Sequence, residues 1–425
     1  MKTNVLVFPC GSEIGLEVNR ALADSTHFTL FGANSVDDHA KFVYRNYITG
    51  LPFIDTPDFI NEINRVVEQY KIDFIIPAHD SAVLKMSENQ YMIKATVVTS
   101  CAETCRICRS KGKTYELFRE LILTPQVYAL TETMSFPVFL KPDVGQGTKG
   151  TYKANTREEI AFYVKKDPTL LVLEYLPGKE YTVDCFTDRN GTLLFVAGRE
   201  RRRIYSGISV NSKQVTDIRF QEIAEIINRT LSFQGVWFYQ VKERSNGELV
   251  LMEIAPRIAG TMALFRADGV NFAQLSLFDR MGLDVSILCN NLDIEIDRAL
   301  FARFICRYDY DWVYIDFDDT VIVNNSVNTN IMKFLYQSRN LGKRIVLLSR
   351  NRQDIKESLR KFSISDLLFD EIIVLGANEK KSDCITNTNS VFIDDSFLER
   401  KEVFDKVHIP VFALDAVESL LLWKV

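Results

Sequence analysis

Two sets of residues in this chain have the types and spacings that handle phosphate. The first lies in FPVFLKPDVGQGTKG, residues 136–150. An apolar strand delivers Lys141 to a proline, and a loop carrying Gly145, Gly147 and Gly150 follows. Glycine lets backbone N–H groups approach phosphate oxygens closely, and lysine adds a compact positive charge. The loop also fits the G-x-G-x-x-G spacing of a dinucleotide site, a weak pattern by itself. A dinucleotide fold wants those glycines straight after the strand and opening a helix. Here Lys141-Pro142 intervenes, and Thr151–Asn155 reads as extended. The second set begins with Asp316 and Asp318, which flank Phe317 after an apolar strand, with Thr320 following. Residues two apart on a strand face the same way, so both carboxylates address one metal-charged pocket. Ser349 ends another strand pattern, Lys380 and Lys381 precede a helical stretch, and Asp394 and Asp395 end a fourth strand.

The elements that must position these groups form three blocks. In residues 1–100, the strand patterns Val5–Phe8, Phe28–Phe31 and Phe74–Pro77 alternate with the helical patterns Leu16–Ala23 and Phe59–Tyr70. Such βαβ alternation predicts a parallel sheet with helices on its faces. Residues 101–306 read as α+β. A helix is expected over Thr114–Leu123, with strands at Pro137–Lys141, Leu170–Tyr175, Tyr181–Thr187 and Leu193–Gly198. Gly235–Lys242 and Leu249–Ile254 should form a hairpin about Asn246-Gly247. Residues 311–425 predict a second small doubly wound sheet, with strands at Trp312–Phe317, Ile345–Leu348, Glu371–Leu375 and Val391–Ile393. A charged linker at Arg307–Asp311 separates it from the second block. The fold class is thus multidomain α/β and α+β.

Bulk composition narrows the function. A chain of 425 residues suggests two to four domains at roughly 100–200 residues each. The net charge of −5 gives no electrostatic reason to expect nucleic acid. Four histidines make His-rich metal chemistry improbable, and eight scattered cysteines suit a reducing compartment rather than a disulfide scaffold. The N-terminal apolar run is too short to span a membrane and does not read as a signal peptide. The expected location is the cytoplasm.

The middle block adds E-x-L-P-G-x-E-x-x-x-D from Glu174 to Asp184, then Gln240, then Glu253-Ile-Ala-Pro-Arg257. With the Lys-Pro strand and glycine loop, this order resembles the ATP-grasp superfamily over about residues 1–305. Carbamoyl-phosphate-synthase-like and amino-acid-ligase-like members look most similar, and residues 1–100 match the pre-ATP-grasp, Rossmann-like domain. The resemblance implies ATP and magnesium, with manganese as an alternative. It assigns Lys141 and one of Lys111 or Lys113 to the phosphates, and Gly145, Gly147, Thr148 and Gly150 to a flap over them. Glu174 and Leu176 would lie at the adenine hinge, and Glu180 at the ribose. Gln240 and Glu253 would hold the metal, and Arg257 would stabilise the transferred phosphoryl group or an acyl phosphate. Such roles fit a hard cation with oxygen ligands and a reaction governed by positioning and charge neutralisation. One position departs from the family pattern: Ala255 stands where an asparagine usually supplies a further metal ligand, and its methyl group cannot coordinate. That puts two-metal catalysis in doubt.

The four motifs at the C-terminal strand ends resemble the haloacid dehalogenase superfamily over about residues 311–425. By that resemblance Asp316 is the nucleophile that forms an aspartyl phosphate. Asp318 is the general acid and base, and is also placed at the metal. Ser349 binds phosphoryl oxygens, Lys380 or Lys381 offsets negative charge, and Asp394 and Asp395 hold magnesium with Asp316. Metal and lysine would mask the repulsion between a carboxylate nucleophile and an anionic substrate. About thirty residues separate the first two motifs, too few for a large cap.

Other signals are weaker. His79 and Asp80 end the first block, where strand ends often line ligand crevices, and are candidates for the acceptor site, but a turn with Asp80 as a helix N-cap is the favoured reading. Arg199–Arg203 reads equally as an anion site or a solvated charge run. Cys101, Cys105 and Cys108 have an iron–sulfur spacing but lie in the wrong context for a cluster. Gly11 to Gly15 reads as a structural strand-to-helix turn. Together these readings predict a bifunctional enzyme. An ATP-dependent ligase would join a small-molecule carboxylate to an amine, and a phosphatase would act on a phosphorylated substrate, with no nucleic-acid or membrane partner and with homo-oligomers allowed. The rivals are carbamoyl-phosphate-like chemistry on bicarbonate and an ATP-binding regulator whose ligase activity has lapsed.

Overall fold

Short runs such as Val5–Phe8 and Phe74–Pro77 are apolar on every residue, so both faces of the strands they form must be covered. They form the middle of a five-stranded parallel sheet built from β1 (Thr3–Phe8), β2 (Phe28–Ala33), β3 (Asn46–Ile48), β4 (Phe74–Pro77) and β5 (Thr96–Val97). The strand order is β3-β2-β1-β4-β5. Alternation divides the side chains. Val5 and Val7 enter one core, while Leu6 and Phe8 enter the other, under α2 (Phe59–Tyr70). The helices α1 (Glu13–Leu22) and α3 (Asp80–Glu88) leave the ends of β1 and β4.

The computed structural model describes residues 2–145, 147–290, 292–299, 304, 306–350, 355–376 and 378–422. Gln146, inside the glycine loop, lies outside them, as do parts of the stretch between the second and third blocks. Among the described residues no helix is long and apolar enough to cross a membrane. The chain falls into two compact units, residues 1–300 and 301–424.

Within the first unit, α4 (Ala102–Arg109) and α5 (Lys111–Phe118) precede a four-stranded antiparallel sheet. That sheet comprises β6 (Val127–Tyr128), β7 (Val138–Pro142), β8 (Tyr152–Ala154) and β9 (Leu170–Glu174), in the order β6-β9-β7-β8. A six-stranded antiparallel sheet follows: β10 (Glu180–Thr187), β11 (Leu193–Tyr205), β12 (Ile208–Val215), β13 (Gly235–Glu243), β14 (Leu249–Ala255) and β15 (Glu295–Asp297). Its order is β14-β13-β10-β11-β12-β15. Phe186, Phe195 and Phe238 of this sheet join the same core as Val5 and Val7. The first two sequence blocks therefore share one interior.

The structure corrects several local expectations. The helix expected over Thr114–Leu123 is α5, which starts at Lys111 because Ser110 caps it by accepting from Lys113 N. It stops at Phe118, whose carbonyl accepts from both Leu121 and Ile122. The strand expected to end at Gly198 runs on to Tyr205. The N-cap before α3 is His79 rather than Asp80, because the His79 imidazole accepts from Ser81 N and frees the Asp80 carboxylate for Arg257. Cys105 and Cys108 are buried on α4, while Cys101, just before the helix, is exposed.

The second unit has a five-stranded parallel sheet of β16 (Trp312–Asp316), β19 (Arg344–Ser349), β20 (Glu371–Val374), β21 (Ser390–Ile393) and β22 (Val411–Phe412), ordered β20-β19-β16-β21-β22. A small hairpin of β17 (Ile322–Val323) and β18 (Ser326–Val327), then the helix Thr329–Asn340, occupy the connection after β16. Val313 and Ile315 face one core, Tyr314 the other. Ser349, Asp316 and Asp394 therefore emerge side by side at the ends of β19, β16 and β21.

Candidate active sites

Lys141 sits near the end of β7, opposite Leu171 of β9, and is almost fully buried. Its ammonium lies 3.4 Å from the Met252 carbonyl and 5.4 Å from the centre of the Tyr115 ring. The Tyr115 hydroxyl donates to the same carbonyl at 2.8 Å. Burial, reinforced by the charge of Lys111, pushes the Lys141 pKa down to about 7, against the pull of Glu253 and Glu180. Lys111 opens α5 and reaches the Asp143 and Gly145 carbonyls, each at 3.4 Å. The Asp143 carboxylate fixes that register by accepting from Ser110 Oγ at 2.8 Å and Gly112 N at 2.7 Å. Lys113 is exposed and lines neither part of the cleft, so of the two lysines only Lys111 is placed with Lys141.

The glycine loop folds over this point. Gly147 and Gly150 adopt positive φ of 62° and 71°, as does Thr148 at 55°. Gly150 turns the loop against Pro142 and lines neither part of the cleft beneath it, whereas Gly145, Gly147 and Thr148 do. The turn between β11 and β12 rests on the loop: a Cβ at Gly207 would stand 2.3 Å from the Gly147 carbonyl carbon. Only glycine permits that approach.

Beneath the loop is a cleft of two compartments. The smaller, about 170 Å³, is lined by Lys141, Glu174, Leu176, Glu180, Gln240 and Glu253. The Glu174 carboxylate is held away by Arg244 at 2.6 and 2.9 Å, which leaves its backbone and Leu176 as wall. Glu180 faces Arg201 at 3.2 Å and Lys242 at 3.6 Å. Gln240 and Glu253 are cross-strand partners on β13 and β14 and line both compartments. Among the described residues, no hydrogen bond or ion pair engages the Glu253 carboxylate. Ala255, at the end of β14, is buried in the shared core. Gln240 and Glu253 thus bring two oxygen donors to the junction, of a kind that could hold a hard cation.

The larger compartment, about 410 Å³, holds Arg257, His79 and Asp80 among its walls. Arg257 is paired with Asp80 at 2.5 and 2.9 Å and stacks 5.1 Å from the Phe238 ring. Burial pushes the Asp80 carboxyl up, but the charge and bonds of Arg257 outweigh it and hold the group below its ordinary value. The arginine run of β11 divides at a break in the strand pairing. Arg199 and Arg201, two apart, line the larger compartment, whereas the register shifts after Arg201, so that Arg202 and Arg203 pair with Glu295 and Asp297 instead. Arg199 is fully buried against Asp184 at 2.7 Å and also bonds Thr261. Sequence reasoning missed Lys242, Arg244 and Arg109, which nothing local marks. Arg201 lay within the Arg199–Arg203 run that reads as an anion site or a charge run, and the structure places Arg199 and Arg201 of that run at the cleft.

In the second unit, the buried Lys381 ammonium bridges Asp316 and Asp394 at 2.6 Å each. Oxygens of Asp316, Asp394 and Asp395 lie within 4.8 Å of one another, a set that fits one divalent cation. Burial, with Asp394 adding to it and Lys381 opposing, pushes the Asp316 pKa up to about 7. Thr320 Oγ1 accepts from Asp395 N at 3.1 Å, and Ser396 N donates to Asp394 at 2.8 Å. Ser349 is buried and reaches Asp318 at 3.5 Å. Two expectations change here. The Asp318 carboxylate stands outside the three-carboxylate cluster, because the strand ends at Asp316. Lys380 caps the following helix from outside, half exposed beside Glu402 at 4.0 Å, so Lys381 is the lysine at the carboxylates.

The fold that carries the first cleft is ATP-grasp-like. Residues 166–293 match the family profile described as ATP-grasp in the biosynthetic pathway with Ter operon. The chain is similar to the carbamoyl phosphate synthase large chain of Thermoanaerobacter sp. (strain X514), at 22% identity over 275 residues, 58% of this chain and 25% of the relative. It therefore spans about a quarter of that relative's length. Among solved structures it resembles the biotin carboxylase domain of Hydrogenobacter thermophilus 2-oxoglutarate carboxylase, bound to MgADP, ADP and bicarbonate. That match has a TM-score of 0.56 and 14% identity, covering 69% of this chain and 72% of the other. Carboxyaminoimidazole ribonucleotide synthase from asperigillus clavatus, complexed with ATP, matches with a TM-score of 0.56 and 16% identity over 69% and 80% of the two chains.

Proposed function

We propose that the chain is a bifunctional cytoplasmic enzyme, with a pre-ATP-grasp domain at residues 1–100, an ATP-grasp ligase domain at 101–306 and a haloacid dehalogenase-like phosphatase domain at 311–425. In the ligase, ATP occupies the smaller compartment. Its adenine lies against Leu176 and the Glu174 backbone, its ribose near Glu180 and its phosphates by Lys141 and Lys111. Gln240 and Glu253 would hold magnesium, which would offset charge on the phosphates. The substrate carboxylate in the larger compartment attacks the γ-phosphorus, ADP leaves, and an acyl phosphate forms beside Arg257. An amine then displaces phosphate and forms an amide. Asp80 keeps the Arg257 guanidinium in place, and the loop with the Gly207 turn excludes water.

The observation that carries this reading is the meeting of both compartments at Gln240 and the uncommitted Glu253 carboxylate. Gln240 and Glu253 would hold a metal between the two compartments, where it would neutralise charge on the transferred phosphoryl group. Carbamoyl-phosphate-like chemistry on bicarbonate uses the same geometry. Ala255 favours a second reading, in which the cleft binds ATP but no longer ligates. ADP release from ATP and magnesium over acid–amine pairs separates them: the ligase releases ADP only with a pair, and Lys141→Ala abolishes it. A binding-only domain holds nucleotide and releases none.

In the phosphatase, Asp316 attacks the phosphorus of an ester, the alcohol leaves with a proton from Asp318, and water, giving its proton to Asp318, then cleaves the aspartyl phosphate and releases phosphate; Lys381 offsets charge, Ser349 binds phosphoryl oxygens, and a cation held by Asp316, Asp394 and Asp395 would add to that neutralisation. Hydrolysis of p-nitrophenyl phosphate that is lost in Asp316→Asn tests this half. Hydrolysis that survives the change contradicts it.

A further inference from the structure

The larger compartment carries more positive charge than its acids neutralise. Among the described residues seven basic side chains line it against three acids. Asp80 is matched by Arg257 and Glu13 by Arg298 at 2.6 Å. Arg199 and Arg201 are matched by Asp184 and Glu180, which do not line this compartment. No carboxylate among the described residues pairs with Arg109 or Lys149. Arg109 ends α4 half-buried. It donates to the Gly145 carbonyl at 3.1 Å and reaches Ser81 Oγ, in the first turn of α3, at 3.5 Å. A guanidinium with planar donors to spare, in a partly dry wall, is a ready partner for a carboxylate or phosphate.

The place in the fold agrees. Ser12–Ile14 and Ala78–Asp80 line the same cavity. They follow β1 and β4, the neighbours between which the strand order of the first sheet reverses, and they open α1 and α3. Crevices at such switch points collect ligands, and the partial positive charge of two helix starts favours an anion. Half-buried His79, between these starts, has its pKa lowered chiefly by burial and further by Arg257, Arg109 and Lys149, with Asp80 opposing.

We propose that the acid taken by this cleft carries a second anionic group, a phosphate or a distal carboxylate, seated between Arg109, Lys149 and the starts of α1 and α3. The reacting carboxylate then reaches Arg257 and the metal junction, while the second anion fixes its distance. The inference rests on the ligase reading of the cleft.

The full chain is loaded with magnesium and a β,γ-imido ATP analogue, which fills the nucleotide phosphate positions. Inorganic phosphate is titrated in one arm; succinate against propionate is titrated in another. The expected result is one-to-one binding of phosphate, or of succinate but not propionate, weakened about tenfold or more by Arg109→Met and by the exposed Lys149→Met. Arg109→Lys should recover part of the loss. Binding in neither arm overturns the proposal. So does binding indifferent to both methionine variants, which would place the anion elsewhere, including at Lys381 and Asp316. Nucleotide affinity, measured in the same proteins and in Lys141→Ala, tests the ligase reading separately.

Discussion

Lys141 should take up a proton when nucleotide binds. In the free protein its pKa lies near 7, against an ordinary 10.5, chiefly through burial and then the charge of Lys111. About half of the molecules thus carry a neutral lysine at pH 7. Phosphates placed beside it would restore the charged form. At about 1.4 kcal/mol per pKa unit, full restoration corresponds to about 5 kcal/mol. The sign follows from linkage: the complex binds more protons than free protein, so affinity falls as pH rises above 7. If Lys141 stays charged in the complex, the loss between pH 7 and pH 9 is roughly fiftyfold, tending to tenfold per unit. Calorimetry of magnesium–nucleotide binding at pH 8, in two buffers of different ionisation enthalpy, should read uptake approaching one proton. Lys141→Met, run in parallel to subtract the ionisation of the nucleotide, should bind more weakly and lack that uptake. Affinity flat across the range, or proton release, would refute the reasoning.

Three further outcomes follow from single contacts. Lys381→Met leaves Asp316 and Asp394 buried without their counter-ion and should destabilise the second unit by roughly 3–5 kcal/mol while removing ester hydrolysis; Lys380→Ala should do neither, as melting curves and assays will show. Arg199→Met strands the buried Asp184 carboxylate and should cost roughly 3–5 kcal/mol in urea unfolding of the first unit, more than Arg203→Met, whose pair is exposed. Gly207→Ala combines a positive φ of 76° with a Cβ pressed on Gly147, so nucleotide should bind severalfold more weakly, by about 1 kcal/mol. Unchanged nucleotide affinity in that variant would detach the turn from the loop's function.

The sequence made the strands legible where apolar runs were short and bounded by turns, as at Phe74–Pro77 and around Asn246-Gly247. It concealed the start of α5 because Gly112 interrupts the helical pattern; only Ser110, a capping residue three positions before Lys113, marks it. At the first cleft, Lys141, Gln240, Glu253 and Arg257 come from three separate segments, and their order in the chain signalled their meeting. Their partners were not legible. Asp80 and Arg257 are 177 residues apart, and nothing local to either specifies the pair. The choice between Lys111 and Lys113 depended on helix phase, and that between Lys380 and Lys381 on which residue caps the helix, both settled by packing. The shared core of the first two blocks was hidden for the same reason, because Phe186 and Phe238 look like any other buried strand residues.

The central claim is that the cleft activates a carboxylate through an acyl phosphate. Oxygen-18 placed in the carboxylate of a productive acid tests it most directly. The account predicts that, with amine, magnesium and ATP, one labelled oxygen appears in the phosphate released, in step with ADP, and that Lys141→Ala stops both. ADP formed with no label in the phosphate, or amide formed with AMP as the product, would contradict it.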